Sequence, residues 1–251
     1  MADPSALATL ILAAGKGTRM KSRTPKVLHD LCGRPMLGHV LAAVEEASPS
    51  RRLVVIGHGA ERVEQAFPEG IEFVHQHEQR GTAHAVLQCR EPLSGFRGDV
   101  LVLYGDTPLL RGETLRAMQD YKVRTGAALV MLSAEVDVPG IVVRGEDGAV
   151  VRIVELPDAN EMQKAIRERN TGVYLLDADL LWKLLAQVGD DNAQGELYLT
   201  DIVELAVREG LRVEAMTLHD PDEALGVNTR AQLADAAAAL RRRVLDRLMD
   251  S

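Results

Sequence analysis

Apolar residues along this chain follow two rhythms. Short, nearly unbroken apolar runs at Leu7–Ala13, Leu53–Ile56, Ile71–Val74, Asp99–Tyr104 (DVLVLY), Ala127–Leu132 and Val173–Leu176 have the length and branching of buried strands. Between them, apolar positions recur every three or four residues over Pro35–Ala47, Glu61–Phe67, Ala83–Cys89, Thr114–Lys122, Leu180–Ala186 and Ile202–Arg208, which predicts helices. Strands and helices alternating over short connections predict an α/β fold, doubly wound about a mostly parallel sheet. The rhythm breaks after about Glu135, where Val136–Glu155 holds short β-like pieces punctuated by Gly140, Gly145 and Gly148; a small β-rich insertion is expected there. Arg230–Met249 has no Gly or Pro and is rich in Ala, Leu and Arg, predicting one long closing helix. With no repeat or low-complexity linker, residues 1–251 read as one domain: a first half over 7–134, a second over 135–228, and the helix over 229–251.

Composition narrows the class without naming a chemistry. The chain is 46% apolar and 26% charged but only 3% aromatic, so its core must be built from Val, Leu, Ile and Ala. Two cysteines, Cys32 and Cys89, offer no disulfide framework and point to a reduced cytoplasm. No apolar run approaches the ~20 residues of a membrane span, and Met1–Ala6 is too polar for a leader. A net charge of −8 argues against nucleic acid or an anionic membrane as partner. An anionic substrate must then be met by local cations. Lys16, Arg19, Lys21, Arg23 and Lys26 supply them near the start, against only Asp3 and Asp30.

The segment LILAAGKGTRM, residues 10–20, runs an apolar strand into Gly15-Lys16-Gly17. Glycines at the carboxyl end of a strand let backbone N–H groups approach an anion, and adjacent cations neutralise it. The dinucleotide fingerprint fails, because it needs Gly where Met20 stands, and the P-loop spacing fails as well. His75 and His77 share one strand face, but no third ligand is at hand, so they are read as exposed strand residues. On its own, the loop is equally a solvated basic turn.

The loop continues into Pro25-Lys26-Val27-Leu28 and Gly33-Arg34-Pro35-Met36-Leu37. Further motifs follow in order: Gln76 with Gly81-Thr82-Ala83-His84-Ala85, Tyr104-Gly105-Asp106-Thr107-Pro108-Leu109, Glu155, Asn170-Thr171-Gly172, Asn192-Ala193-Gln194-Gly195-Glu196 and Gly226-Val227-Asn228. This series resembles the sugar-1-phosphate nucleotidyltransferases. Within them it is most similar to the pyrophosphorylase domain of the bifunctional N-acetylglucosamine-1-phosphate uridyltransferase/glucosamine-1-phosphate acetyltransferases, from about Leu7 to Leu240. Two departures stand out. The family's hexapeptide β-helix has no counterpart in these residues, so only the uridylyl half is expected. The family's Gly-Tyr-Gly-Arg loop is replaced by Val138-Pro139-Gly140-Ile141-Val142-Val143-Arg144, and Ala83 stands where Gly is usual.

The resemblance implies transfer of a uridylyl group from UTP to a sugar-1-phosphate, N-acetylglucosamine-1-phosphate first among them, with release of pyrophosphate. It implies a Mg²⁺ ion held by Asp106 and Asn228, both hard oxygen donors. It implies that Arg19 grips the β- and γ-phosphates and that Lys26 lies at the α-phosphate. Nucleotide recognition falls to Ala13, Ala14, Gly15, Gln76, Gly81 and Thr82, and sugar recognition to Gly140, Glu155 and Asn170. Thr200 is expected to cap the helix after it. No general base is needed, since a phosphate monoester is already ionised near neutral pH. Other sugar phosphates such as glucose-1-phosphate, another nucleotide such as dTTP, a cytidylyl- or guanylyltransferase for a non-sugar acceptor, and a non-catalytic sugar-nucleotide sensor remain alternatives. Retention of Arg19, Lys26, Asp106 and Asn228 together speaks against the sensor, and no pattern encodes the oligomeric state.

Overall fold

In the first strand, LATLIL, every residue is buried. Alternate side chains of a strand face opposite sides of its sheet, so such a strand needs cover on both. The computed structural model, which describes residues 6–67 and 69–249, provides it. Met1–Ser5, most of the segment read as too polar for a leader, and Asp250 and Ser251 of the expected closing helix lie outside the described residues.

The elements run β1 (Leu7–Leu12), β2 (Asp30–Leu31), β3 (Arg34–Pro35), α1 (Met36–Glu46), β4 (Arg51–Ile56), α2 (Ala60–Ala66), β5 (Glu72–His75), α3 (Thr82–Leu87), β6 (Asp99–Tyr104) and α4 (Gly112–Thr125). They continue as β7 (Leu129–Glu135), β8 (Gly140–Arg144), β9 (Val150–Glu155), α5 (Glu161–Lys164), β10 (Glu168–Asp177), α6 (Ala178–Leu185), α7 (Asp201–Arg208), β11 (Val213–Thr217) and α8 (Arg230–Met249). The main sheet has the order β11-β7-β10-β6-β1-β4-β5, with β8 joined to β10 and β9 to β8. Pairing is parallel throughout β6-β1-β4-β5 and between β11 and β7; β10 lies antiparallel to both of its neighbours β6 and β7.

One face, with Leu10, Leu53, Val102, Met131 and Tyr174, packs against α3, α6 and α7. The other, with Ile11, Val54, Leu103, Leu132 and Leu175, packs against α1, α2 and α4. Each fully buried Leu or Ile contributes about 1.5–3 kcal/mol. A third, smaller cluster of Leu31, Met36, Leu109, Val227, Ala236 and Ala239 seats α8.

The doubly wound expectation holds, and most expected elements agree to within a few residues. Three were not anticipated: the β2–β3 hairpin, the single turn α5, and β11. Strand β10 is also much longer than its apolar kernel Val173–Leu176. Its first half is polar, and its register with β7 shifts between Asn170 and Tyr174. Gly172 makes the shift possible: its φ is 81°, and a Cβ there would lie 2.1 Å from the Tyr104 ring. Chain order reverses direction about β1, whose neighbours are β4 and β6. In open α/β sheets the crevice at the carboxyl ends of such a strand pair receives the ligand.

Candidate active site

The crevice is built from the ends of β1 and β6. Past Leu12, the Ala13 N–H donates to the Val55 carbonyl (2.8 Å), and the Ala14 carbonyl accepts from the Gln79 amide (2.8 Å), so the strand direction persists up to the loop. Gly15 and Lys16 are exposed, and Met20 anchors the far end of the loop in the core. Gly17, at φ 59°, passes so near Lys26 that a Cβ would lie 2.8 Å from the Lys26 Cβ. The Arg230 guanidinium, at the start of α8, donates to the Met20 and Lys21 carbonyls at 3.1 and 3.0 Å and braces the loop from outside.

After β6 the chain turns through Gly105, Asp106 and Thr107. The Thr107 hydroxyl closes this turn on the Tyr104 carbonyl (2.9 Å), so the Asp106 carboxylate is not needed as its cap. That carboxylate instead pairs with the Lys26 ammonium, which also donates to Asn228 Oδ1 at 3.0 Å. The backbone fixes the meeting, because the Val227 N–H donates to the Asp106 carbonyl (2.8 Å). The oxygens of Asp106 and Asn228 therefore converge on one point from segments 122 positions apart in sequence.

Two cavities open on either side of that point. One, of about 280 Å³, is lined by Ala13, Ala14, Gly15, Lys26, Gln76, Gly81, Thr82 and Asp106. The second, also about 280 Å³, is lined by Gly140, Glu155, Asn170 and Asn228 with Thr82 and Asp106 again. Tyr104 and Glu196 also line both. All but one of the residues to which the resemblance gives a role toward nucleotide, sugar or metal are brought into this double cleft. The exception is Arg19, which is exposed in the turn Thr18–Met20 and lines neither cavity.

The walls are fastened to each other. The Ala83 N–H donates to the Leu197 carbonyl (2.9 Å), the Leu197 N–H to the Arg80 carbonyl (2.8 Å), and the Leu199 N–H to the Thr82 hydroxyl (2.9 Å). Asn192 ties off the neighbouring loop through its amide, which donates to the Glu196 carbonyl at 2.6 Å. Asn170 is buried, with its amide donating to the Tyr174 hydroxyl (2.7 Å) and its Oδ1 accepting from the Gly172 N–H (3.1 Å). Gly140 is the first residue of β8, in register with Glu155, and a Cβ there would meet Asn170 at 3.1 Å. Burial raises the Glu155 carboxyl above its ordinary range, and Asp201 and Asp158 add to the rise. The Thr200 hydroxyl offsets part of that rise, although it makes no hydrogen bond of ordinary geometry.

Thr200 also corrects an expectation. It precedes α7 in a helical conformation (φ −57°, ψ −25°), and its side chain makes no cap bond. His75 and His77 stack with ring centroids 5.7 Å apart, and His75 meets Glu64 at 2.9 Å. Among the described residues no group of three or more His, Cys, Asp or Glu is placed to hold a metal. Sequence reasoning missed the part played by Gln79, which has no motif of its own. It also missed Tyr104 as a shared wall, though an aromatic ring ending the clearest strand was a signal.

Residues 9–172 match the family described as the MobA-like NTP transferase domain. Among curated proteins, the bifunctional protein GlmU of Pelotomaculum thermopropionicum is 50% identical over 98% of this chain and 54% of its own length. Its namesake in Geobacter metallireducens is 48% identical over 97% of this chain and 52% of its own. The chain thus spans about half the length of the curated relatives it matches. A solved structure, UDP-glucose pyrophosphorylase complexed with UDP-glucose, shares the fold with a TM-score of 0.72 over 95% of this chain and 99% of that one, at 17% identity. On the family match, the chain belongs to the MobA-like NTP transferase domain family.

Proposed function

We propose that this chain transfers a uridylyl group from UTP to N-acetylglucosamine-1-phosphate, forming UDP-N-acetylglucosamine and pyrophosphate. The observation that carries the reading is the double cleft, whose two cavities meet at Asp106 beside the Lys26 ammonium. A nucleotide held by Ala13, Ala14, Gly15, Gln76, Gly81 and Thr82 would bring its α-phosphate to that junction. A sugar phosphate held by Gly140, Glu155 and Asn170 would approach it from the other side. The motif series that resembles the bifunctional uridyltransferases, and the half-length match to proteins named GlmU, support the same substrates.

In the reaction an oxygen of the sugar phosphate forms a bond to the α-phosphorus. The bond from that phosphorus to the bridging oxygen breaks, and pyrophosphate leaves with the electron pair. Both reactants are anions, so the protein's work is to align and neutralise them. Lys26 supplies positive charge where negative charge accumulates, and Arg19, on the exposed side of the loop, would reach the outer phosphates. The carboxylate and amide oxygens of Asp106 and Asn228, near enough to share one ammonium, fit a Mg²⁺ ion that takes its remaining ligands from phosphate and water. Such an ion would polarise the α-phosphate. A reduced, cytoplasmic setting belongs to the same reading; among the described residues no helix is long and apolar enough to cross a membrane.

A second acceptor, glucose-1-phosphate, is favoured by one feature: Val138 and Pro139 line the sugar cavity where the family carries its tyrosine loop. A pyrophosphate-release assay with UTP, dTTP and CTP against both sugar phosphates tests the reading. Fastest turnover is expected with UTP and N-acetylglucosamine-1-phosphate. Release with no sugar phosphate, or with none of the triphosphates, would overturn it.

A further inference from the structure

Gln76 is 5% exposed at the end of β5, and its amide nitrogen has two neighbours. One is the Gly81 carbonyl at 3.3 Å, the other His84 Nδ1 at 3.1 Å. His84 in turn has its Nε2 3.2 Å from the Gln88 amide nitrogen, which also lies 3.0 Å from the His84 carbonyl. Three side chains thus form a line, Gln88–His84–Gln76, running along α3 to the nucleotide cavity.

A neutral imidazole has one N–H and one lone pair, so it accepts from only one of two amides. Burial decides which. The Gln76 nitrogen faces a carbonyl that accepts in every protonation state, and turning that amide would oppose two oxygens in a buried place. Turning the Gln88 amide would also set an oxygen against a carbonyl, that of His84, but Gln88 is half-buried, so its side chain can swing away and water can take up its bonds. His84 is therefore the tautomer with the proton on Nε2, and its Nδ1 accepts from Gln76. Both amide protons of Gln76 are then engaged, one by Gly81 and one by His84. Only Oε1, which makes no hydrogen bond among the described residues, is left for a ligand.

We propose that His84 is a positioning residue that fixes Gln76 with its acceptor outward, and that this sets the base specificity of the nucleotide cavity. An outward acceptor pairs with a ring N–H, which uracil and thymine present at N3. Cytosine presents a lone pair there and is repelled. Discrimination thus depends on an imidazole that touches no part of the nucleotide. The inference rests on the uridylyl reading of this cavity and adds the reason why a pyrimidine with an N3–H is chosen.

The test compares UTP and CTP as substrates, and by calorimetric binding, for the full chain and two variants. His84→Leu frees the Gln76 amide to turn. The KM for UTP should rise by about tenfold or more with kcat within threefold, and the UTP-over-CTP efficiency ratio should fall by about tenfold or more. His84→Asn places an amide oxygen near the position of Nδ1 and should hold that ratio within about threefold of the parent. If both variants keep the parental ratio, or if His84→Leu weakens UTP and CTP equally, His84 is a packing residue and the inference falls while the uridylyl reading stands. A parent that neither binds nor turns over UTP overturns both. Should His84→Leu fail to fold, His84→Ala takes its place, with the same fall in the UTP-over-CTP ratio expected and a parental ratio overturning the inference.

Discussion

Lys26 and Asp106 form a pair whose side chains are only 14% and 17% exposed, and the charge they hold there is what a phosphate would meet. Taking a preorganised charge from such a site costs about 10²–10³ in turnover. On the proposed mechanism Lys26→Ala should therefore lose that much in kcat, because its charge would act where the α-phosphorus is attacked. Arg19→Ala should behave differently. Arg19 is exposed and outside both cavities, and on the proposed reading it would grip the remote phosphates, so much of its loss should appear as a higher KM for UTP. Steady-state kinetics on both variants would separate them, and parental behaviour in both would reduce the loop to a solvated basic turn. Asp201 offers a residue-scale test of the opposite sign. Burial first, then Glu204 and Asp158, push its carboxyl up to about 6. An unfolded carboxyl titrates near ~3.9, so between roughly pH 4 and 6 the folded protein holds the extra proton, and stability falls as pH rises through that window. The group is partly solvated, which limits the effect to about 1 kcal/mol or less. The melting temperature of Asp201→Asn relative to the parent should rise from pH 4 to pH 6 and then level off; a flat difference would remove the assignment.

At the scale of elements, one of the three hydrogen bonds named above between the walls of the cleft is made to a hydroxyl. The Leu199 N–H donates to Thr82, and Leu199 is 1% exposed, so no water replaces a lost acceptor. Thr82→Val should cost about 1–3 kcal/mol in denaturant unfolding, with Thr82→Ser close to the parent; equal stability of all three would mean the walls are held elsewhere. This contact also shows why parts of the fold were invisible in the sequence. Strands such as β1, β6 and β7 announce themselves because burial on both faces demands continuous apolar residues. The first half of β10, Glu168-Arg169-Asn170-Thr171-Gly172, carries no such mark. It is a strand because β7 and β8 pair with it from distant parts of the chain. In β11, Val213-Glu214-Ala215-Met216-Thr217 is too short and too mixed to read before β7 is known to lie beside it. Thr200 was misjudged for a related reason: its residue type favours a cap, but its backbone has already entered the helix. The residues that line the cleft were more legible than these elements, because ordered motifs survive where local periodicity does not. The route by which Gln79 supports Ala14 had no motif and needed the fold.

Across the whole molecule, the cleft joins segments from the ends of β1, β5, β6 and β9, the first half of β10, the start of β8 and the approach to α8. Asp106, Thr82, Tyr104 and Glu196 stand in both cavities, and the rest of each lining belongs to one cavity alone. Two ligands read by two walls should be separable. Gln76→Ala should raise the KM for UTP and leave that for the sugar phosphate within about threefold, and Asn170→Ala should do the reverse. The sugar side also bears on which sugar is preferred. Gly140 and Asn170 are packed together, and Val138 and Pro139 take the place of an aromatic loop, so on the proposed reading a 2-acetamido group would meet a wall with fewer polar contacts. Packing against a methyl and an amide discriminates by only about 1–3 kcal/mol, which converts to roughly 10- to 100-fold in kcat/KM for N-acetylglucosamine-1-phosphate over glucose-1-phosphate. Asn170→Ala should narrow that ratio, because the pairs it makes with Tyr174 and Gly172 hold the wall against Gly140. A parental preference for glucose-1-phosphate would mean that the Val138–Pro139 segment has remade the pocket for the smaller substituent, while the uridylyl half of the mechanism would be untouched.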